Sequence, residues 1–329
     1  HARRTHALLV PTSTALVVAL LASAPAFAQS TNGSALRFHA LGGGQDRALF
    51  PIDDDAPGPD SSAPADVGAQ GFTLELWLRA THADDPSPSE PEGSYPDDRW
   101  HHGNVLLDRT LENGGGRAFA LSLLDGRVAF WTGAGDPGSG DVEDTSIGDQ
   151  DVQLMADVAS SGRVAVTRDA ASGIKRIYVD GALDHQSPPA TSTADLSYPN
   201  RGLGGVSALD PWLVLGAPKE AAHEALAGLV DELRVWDVAR APQEIAGAVF
   251  RRMLPGTPGL ASEWRFEEGF GTTIADTSGR NAPPGVLVAG QIGNGEWIDV
   301  LLEPDAVAPL ETSLPAGFVK ERLFPMHEL

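Results

Sequence analysis

The segment of this sequence closest to a catalytic site is Glu263-Trp264-Arg265-Phe266-Glu267. On a β-strand alternate side chains share a face, so the two glutamates and the arginine between them are expected to lie together. Two carboxyl groups roughly 5–9.5 Å apart can cleave a glycosidic bond. Here a cation stands between them, and the sequence contains no nucleophile elbow, zinc-binding histidine pair or phosphate-binding loop. The pattern therefore favours a non-catalytic protein, with a glycan-cleaving enzyme as the alternative.

Six of the seven tryptophans divide by their surroundings into core candidates and binding candidates. Three lie inside apolar, strand-like segments and are expected in the core: Trp77, Trp236 and Trp264. Three others, Trp100, Trp131 and Trp212, border long polar loops. Because aromatic rings can stack on sugars and fill protein interfaces, we predict that these three form an exposed ligand platform.

The chain is strongly acidic, with 23 basic and 45 acidic residues and a net charge of −22. Such a surface repels phosphate backbones and anionic membranes, which argues against nucleic-acid and lipid-surface partners. It attracts cations instead. The sequence contains no cysteine, so the core must be stable without disulfides.

Residues 1–28 have the pattern of a secretory signal peptide. Arg3 and Arg4 precede an apolar run over residues 7–24, and Ala26-Phe27-Ala28 has the form of a cleavage site. Pro11 interrupts the run, leaving too little apolar length to span a bilayer. We therefore predict cleavage after Ala28 and a mature chain without membrane insertion that lies outside the cell, at its surface or in a periplasm. Its charge balance is then 23 − 2 = 21 basic against 45 acidic residues, or −24.

Short apolar stretches separated by Gly, Pro, Asp and Ser recur along the chain and predict an all-β sandwich or barrel. In Phe72–Arg79 alternate residues are apolar, as in a strand with one buried face. A single short helix is predicted at Pro242–Phe250, with Pro242 in its first turn. Four segments have the composition of long loops: residues 53–68, 82–99, 132–151 and 186–211.

Several segments, in their order and spacing, resemble the laminin-G-like group of the concanavalin A-like lectin/glucanase fold over residues 34–297. The segments that carry the resemblance are Ala35–Phe38, Phe72–Leu78, Val164–Asp169, Arg176–Gly181, Gly228–Trp236 and Trp264–Gly269. The resemblance implies a two-sheet antiparallel jelly-roll sandwich with one short C-terminal helix. It also implies a domain over residues 29–299, which leaves residues 300–329 as a linker or tail.

The resemblance also implies a calcium ion, because related domains often bind one where loops at a sheet edge converge. On that basis Asp231 is the expected ligand, and Asp46, in a glycine-rich loop, its expected partner. Calcium requires six to eight oxygen ligands, which acidic loops can supply. The alternative is that Asp231 fixes a turn or pairs with an arginine.

The sequence thus predicts a secreted, non-catalytic binding module for a glycan or a protein, with calcium as its cofactor. A surface or matrix component that associates with copies of itself is the second interpretation. The oligomeric state and the identity of the ligand stay open at this level.

Overall fold

The apolar and polar alternation of the sequence becomes a two-sheet antiparallel jelly-roll sandwich in a computed structural model of the chain. The structure describes residues 33–40, 46–53, 63–83, 85–86, 99–111, 116–135, 143–157, 162–189, 193–199, 209–219, 224–269, 271–288, 296–300 and 320–321. All of them belong to the compact unit Thr31–Leu329. The predicted signal peptide lies outside the described residues.

Strands make up most of the described chain. In chain order they are β1 Gly33–Phe38, β2 Arg47–Pro51, β3 Phe72–Arg79, β4 Asn104–Arg109, β5 Phe119–Leu124, β6 Arg127–Thr132, β7 Asp144–Asp151, β8 Gly162–Arg168, β9 Lys175–Val179, β10 Ala182–Gln186, β11 Trp212–Leu215, β12 Gly228–Trp236, β13 Leu260–Trp264, β14 Thr273–Ile274, β15 Gly285–Val288, β16 Glu296–Val300 and β17 Lys320–Glu321. The helices are α1 Val152–Asp157 and α2 Pro242–Ala246, and a 3₁₀ turn spans Arg99–His102.

The strands form two sheets. The first sheet has the order β10-β9-β8-β3-β12-β1-β16-β17, with β13 also paired to β12, and the second has the order β14-β15-β2-β11-β4-β5-β6-β7. Neighbouring strands are antiparallel, apart from the parallel pair β16 and β17. Non-consecutive neighbours such as β3 and β12 bring residues distant in sequence side by side.

The core lies between the two sheets and follows the predicted faces of β3. Phe72, Leu74, Leu76 and Leu78 all belong to one buried apolar cluster, as their alternation predicts. Trp264 packs in the same cluster with its ring centroid 4.0 Å from that of Phe50. Because these side chains come from both sheets, the cluster holds the sandwich together.

Tight turns join consecutive strands of the first sheet. Asp180 and Gly181, between β9 and β10, have φ angles of 51° and 79°. Two successive positive φ angles are typical of the two-residue hairpin turns that match the twist of the strands. Asp180 and Gly181 therefore form the turn of the β9–β10 hairpin.

Three predicted boundaries differ from the structure. Strand β7 lies within a segment predicted as a loop, and its acidic residues are tolerated because it is the edge strand of the second sheet. Helix α2 ends at Ala246, well before Phe250, and α1 is a second short helix. Strand β17 belongs to the first sheet, although residues 300–329 were predicted as a linker or tail. None of the helices in the described ranges is long and apolar enough to cross a bilayer.

Replacing Trp264 with Ala is expected to lower the free energy of unfolding by about 3–5 kcal/mol, because it empties a large site in the closed core. Denaturant melts measure the change. Leu254→Ala is the matched control: this side chain is 56% exposed, so its removal is expected to change stability by less than about 0.5 kcal/mol. Equal effects of the two substitutions would contradict the assigned core.

Candidate ligand-binding face

Register across the second sheet aligns one outward-facing side chain from each of seven strands. On β11, Leu213 and Leu215 belong to the core, so Val214 between them points to the outer side. Strand pairing extends this position into a row, here called the outer row: Val286, Leu49, Val214, Asp108, Ala120, Trp131 and Thr145. The row runs across the second sheet on the side that faces away from the core.

The part of the outer row on β5 and β6 is covered by the chain's own 3₁₀ turn. Trp100, in that turn, packs against Trp131 with ring centroids 5.4 Å apart. Both rings belong to a buried cluster with Val105, Ala118 and Ala120. Only 5% of Trp100 and 7% of Trp131 are exposed, so the predicted exposure of these two tryptophans is wrong. Small alanines on the sheet leave room for the turn to pack closely, and the two rings fill that space.

The outer face is exposed at β15 and partly exposed at the start of β11, whereas the outer-row residues Val214 and Leu49 are only 0% and 9% exposed. Val286 and Val288 are each 38% exposed, and they flank the core residue Leu287 on β15. Trp212 is half-buried on β11, opposite Pro51. We call Leu49, Trp212, Val286 and Val288 the open strip. Of the three predicted platform residues, only Trp212 thus lies at an accessible apolar surface, and its role in binding stays a prediction.

A buried polar group marks the middle of the outer row. The Asp108 carboxylate accepts hydrogen bonds from the backbone N–H of Thr110 at 2.7 Å and of Lys219 at 2.8 Å. The Lys219 Nζ donates to the carbonyl oxygens of Thr110 and Asp210, at 2.7 and 3.2 Å. Burial lowers the pKa of Lys219 to about 7, although the charge of Asp108 acts in the opposite direction. The amino group therefore changes its charge near neutral pH.

The outer face of the first sheet is closed by the residues that follow β12, here called the α2 segment, residues 237–256. Ile245 of α2 packs in a buried cluster with Ala165 and Tyr178 of the sheet. The guanidinium of Arg240 lies 4.0 Å from the ring centroid of Trp236, a cation–π contact. On this face the outward-facing side chains of the sheet are therefore covered by the α2 segment of the same chain, unlike those of the open strip.

Ion pairs fill the space between the first sheet and the α2 segment. Glu75 pairs with Arg163 at 3.1 Å, with Arg234 at 3.5 Å and also with Arg240. Arg234 binds Glu263 at 3.0 Å, and both side chains are fully buried. Burial acts to raise the pKa of Glu75, but the surrounding guanidinium groups outweigh it and hold that pKa below its ordinary value. The group is thus a closed internal network.

Glu263 and Glu267, the carboxylate pair that most resembles a catalytic site in the sequence, do not share a strand face in the structure. Strand β13 ends at Trp264, and Phe266 has a φ of 54°, so the alternation of faces does not continue to Glu267. Glu263 is fully buried between two arginines, and Glu267 pairs with a third. Neither carboxylate is available to a substrate between them.

The two predicted calcium ligands have different surroundings. Asp46 is 1% exposed, and its Oδ2 lies 2.9 Å from Nδ1 of His39. Asp231 follows Val230, which is paired with Leu36 in the register of β12 on β1. That Asp46 and Asp231 share a calcium ion stays a prediction.

Asp231 itself is a buried acid on the outer side of β12. It is 5% exposed, and its Oδ1 accepts no hydrogen bond from any described residue. Burial raises its pKa well above the ordinary value, and the nearby charges of Glu232 and Glu267 add to that effect. Both glutamates are bound by arginines, and the described ranges contain no group of three or more Asp, Glu or His side chains suited to a metal. The role of Asp231 as a calcium ligand stays a prediction.

The oxygen-rich sequence around Asp276 forms a turn. The Asp276 carboxylate accepts hydrogen bonds from the backbone N–H groups of Glu263, Ser278 and Ala282, at 2.9, 3.2 and 3.2 Å. Ser278 Oγ donates to it as well, at 2.7 Å. Side-chain to backbone hydrogen bonds therefore hold this turn.

Two parts of this face, β15 and Lys219, are not evident from the sequence. Strand β15 is only four residues long, and its signal is the alternation in Gly285-Val286-Leu287-Val288 after a pair of prolines. Lys219 carried a weaker signal, as one of only three lysines in the chain. Its burial depends on strands that are far apart in sequence, so nothing local predicts it.

Replacing Asp231 with Asn is expected to raise stability at neutral pH. The raised pKa means that the folded chain binds a proton more tightly than the unfolded chain, whose ordinary value is 3.8, so this group lowers stability as pH rises above that value. Asn removes the charge and keeps the shape. Thermal melts in the presence of a chelator are expected to show a higher melting temperature than wild type at pH 7, about 2–4 °C per kcal/mol, and a smaller difference at pH 4. A variant less stable than wild type at pH 7 would contradict a raised pKa for Asp231.

Lys219 is expected to make stability rise with pH between about 7 and 10.5. In that interval the unfolded chain binds the lysine proton, with its ordinary pKa of 10.5, whereas the folded chain does not. Unfolding free energies of wild type and Lys219→Met, measured from pH 6 to 10, give the contribution as the difference between the two slopes. Identical slopes would show that the amino group keeps an ordinary pKa.

Solved structures similar to this chain have low sequence identity to it. A candidate carbohydrate binding protein from Bacteroides ovatus is 17% identical, with a TM-score of 0.46, over 79% of this chain and 59% of the other. The chain thus spans less than two thirds of that protein. A heptameric SAP-like pentraxin from Limulus polyphemus is 9% identical, with a TM-score of 0.44, over 81% of this chain and 99% of the other. The CBM40 of a Ruminococcus gnavus IT-sialidase, bound to α2,3-sialyllactose, is 14% identical, with a TM-score of 0.39, over 65% and 96%.

Sequence comparison identifies the family. No curated protein matches the chain. The family Laminin_G_3, described as the Concanavalin A-like lectin/glucanases superfamily, matches residues 56–246, which is 191 of the 329 residues. The match spans β3 to α2 and includes most strands of both sheets. The chain therefore belongs to the laminin-G-like family of the concanavalin A-like lectin/glucanase superfamily.

Proposed function

We propose that the chain is a secreted, non-catalytic binding module that holds a glycan or a protein ligand on the outer face of its second sheet. The open strip is the observation that carries this proposal. Val286 and Val288 keep 38% of their surface exposed on neighbouring positions of one strand face. Contiguous apolar surface on a soluble protein commonly marks an interaction site.

The chemistry of the open strip suits a flat, amphipathic ligand. Trp212 supplies an aromatic ring, and Leu49 supplies an apolar floor that is 9% exposed. Arg47, which pairs across from Val288, is half-buried at the same edge and adds a polar group that can fix orientation. A ligand with one apolar face and polar edges, such as a sugar ring or a surface strand of a protein, matches this combination.

The proposal also includes a location outside the cell. Its support is the sequence pattern of residues 1–28 together with the acidic composition of the remainder.

The α2 segment covers the outer face of the first sheet, so a ligand on that face would compete with this segment for the same contacts. For this reason we place the ligand on the second sheet.

Arrays of glycans and of extracellular proteins identify the ligand, and variants of the open strip then test the site. Trp212→Ala is expected to weaken binding about 10-fold or more, equivalent to about 1.4 kcal/mol, because the aromatic contact is lost. Phe250→Ala is the matched control, since this aromatic ring is 68% exposed on the side of the first sheet. We expect it to change the dissociation constant less than about twofold.

Two results would contradict the proposal. If Trp212→Ala and a polar replacement of Val286 leave affinity unchanged while Phe250→Ala weakens it, the ligand binds on the other side of the sandwich. Turnover of any arrayed glycan by the wild-type protein would instead favour the glycan-cleaving alternative.

A further inference from the structure

The chain that follows α2 presents an apolar and basic surface to solvent. Phe250 is 68% exposed and Leu254 is 56% exposed, and the exposed Arg251 lies between them in the chain. The ring of Phe250 rests on Trp77 of β3, with ring centroids 5.6 Å apart, so its position is fixed although most of its surface faces water. We call Phe250, Arg251 and Leu254 the basic patch.

Buried arginines anchor the backbone of the basic patch. Arg234 donates hydrogen bonds to the carbonyl oxygens of Ala248 and Arg251, and Arg265 donates to that of Met253 at 2.6 Å. These bonds use backbone groups, so they hold the segment in place and leave its exposed side chains directed to solvent. A surface that is already ordered loses little conformational entropy when it binds a partner.

An exposed apolar side chain with acidic neighbours lies at α1. Leu154 is 58% exposed, and its backbone N–H is bound by the Asp151 carboxylate at 2.9 Å. Asp149, two residues earlier on β7, is exposed, and the pairing of β6 with β7 brings the turn that carries Asp125 beside Asp151. The Asp125 side chain is 60% exposed and that of Asp151 35%. We call Asp125, Asp149, Asp151 and Leu154 the acidic patch.

The two patches are complementary in charge and similar in form. Each presents a large apolar side chain beside charged groups, and the charges have opposite signs. Because the whole chain carries a net charge of −22, most of the surface of a second copy repels a first copy. An arginine beside exposed apolar groups instead attracts an acidic surface, whereas two basic patches repel each other. The partner that fits the basic patch is therefore the acidic patch of another copy.

We propose that the basic patch of one copy of this chain binds the acidic patch of a second copy. Phe250 and Leu254 meet Leu154 at the centre of the contact, and Arg251 faces the carboxylates around it. Since the two surfaces differ, each copy keeps one patch free, and the contact repeats to give rings or open chains of molecules. The open strip belongs to neither patch, so this association does not depend on the proposed ligand.

Sedimentation velocity of the full chain over a series of concentrations tests the association directly. The average sedimentation coefficient is expected to rise with protein concentration. The rise is expected to shrink when ionic strength increases from about 0.01 to about 1 M, because the screening length falls from about 30 to about 3 Å.

Charge reversal in separate copies distinguishes a contact between different patches from a contact between like patches. Arg251→Glu and Asp149→Arg are each expected to weaken association about 10-fold or more, because like charges then face each other. An equimolar mixture of the two variants is expected to associate again, because each variant keeps the patch that the other has lost. Both side chains are exposed, so melting temperatures close to that of wild type are the check on folding.

Variants of apolar side chains test the centre of the contact independently of charge. Leu154→Ser and Leu254→Ser each remove an exposed apolar group and are expected to weaken association several-fold. Val288→Ser is the matched control, since this side chain is 38% exposed on β15, outside both patches. We expect it to leave the sedimentation coefficients unchanged.

Three results overturn the proposal. The first is a single monomeric species at protein concentrations up to about 1 mM at low ionic strength. The second is association that Arg251→Glu weakens and Asp149→Arg does not, or a mixture of the two variants that associates no better than either alone. The third is association lost in Val288→Ser and kept in Leu254→Ser, which would place the contact on the open strip.

Discussion

The buried guanidinium of Arg234 is the group on which the organisation of the first sheet depends. Glu75 on β3 and Glu263 on β13 bind it from both neighbouring strands, and it also donates to backbone carbonyls of Ala248 and Arg251. A buried charge is tolerated only when its partners are complete, and removing one partner of such a pair commonly costs about 3–5 kcal/mol. The two carboxylates hold the guanidinium in place, and its hydrogen bonds to the carbonyl groups of Ala248 and Arg251 hold the α2 segment against the sheet. Three strands and their covering segment are therefore one unit.

This unit decides which face of the sandwich is open to a ligand. Because the α2 segment supplies carbonyl groups and Ile245 to the first sheet, that face is filled before any ligand arrives. In the described ranges, the 3₁₀ turn with Trp100 covers part of the outer row of the second sheet. The remaining strip around Trp212 has no such covering in the described chain, and the difference between the faces follows from where the chain places its own polar and aromatic groups.

The local sequence pattern predicts which side chains of a strand face the core, but it does not predict how the residues of the site are arranged. The alternation in Phe72–Arg79 predicts which side chains reach the core, because that property depends on neighbours within one strand. The exposure of Trp100 and Trp131 depends on a turn that packs across two strands, and the pairing of Glu263 with Arg234 depends on the register of β13 on β12. Neither relation is encoded in adjacent residues. Family resemblance supplied the fold but not these pairings.

The central claim is that the chain seals the first sheet and leaves the second sheet accessible at Trp212. Hydroxyl-radical labelling of the free protein, followed by peptide mass spectrometry, measures this directly. The account predicts that Trp212 is modified several times faster than Trp77 and Trp236, which are 6% and 2% exposed beneath the α2 segment. Modification of Trp77 or Trp236 as fast as that of Trp212 would contradict it.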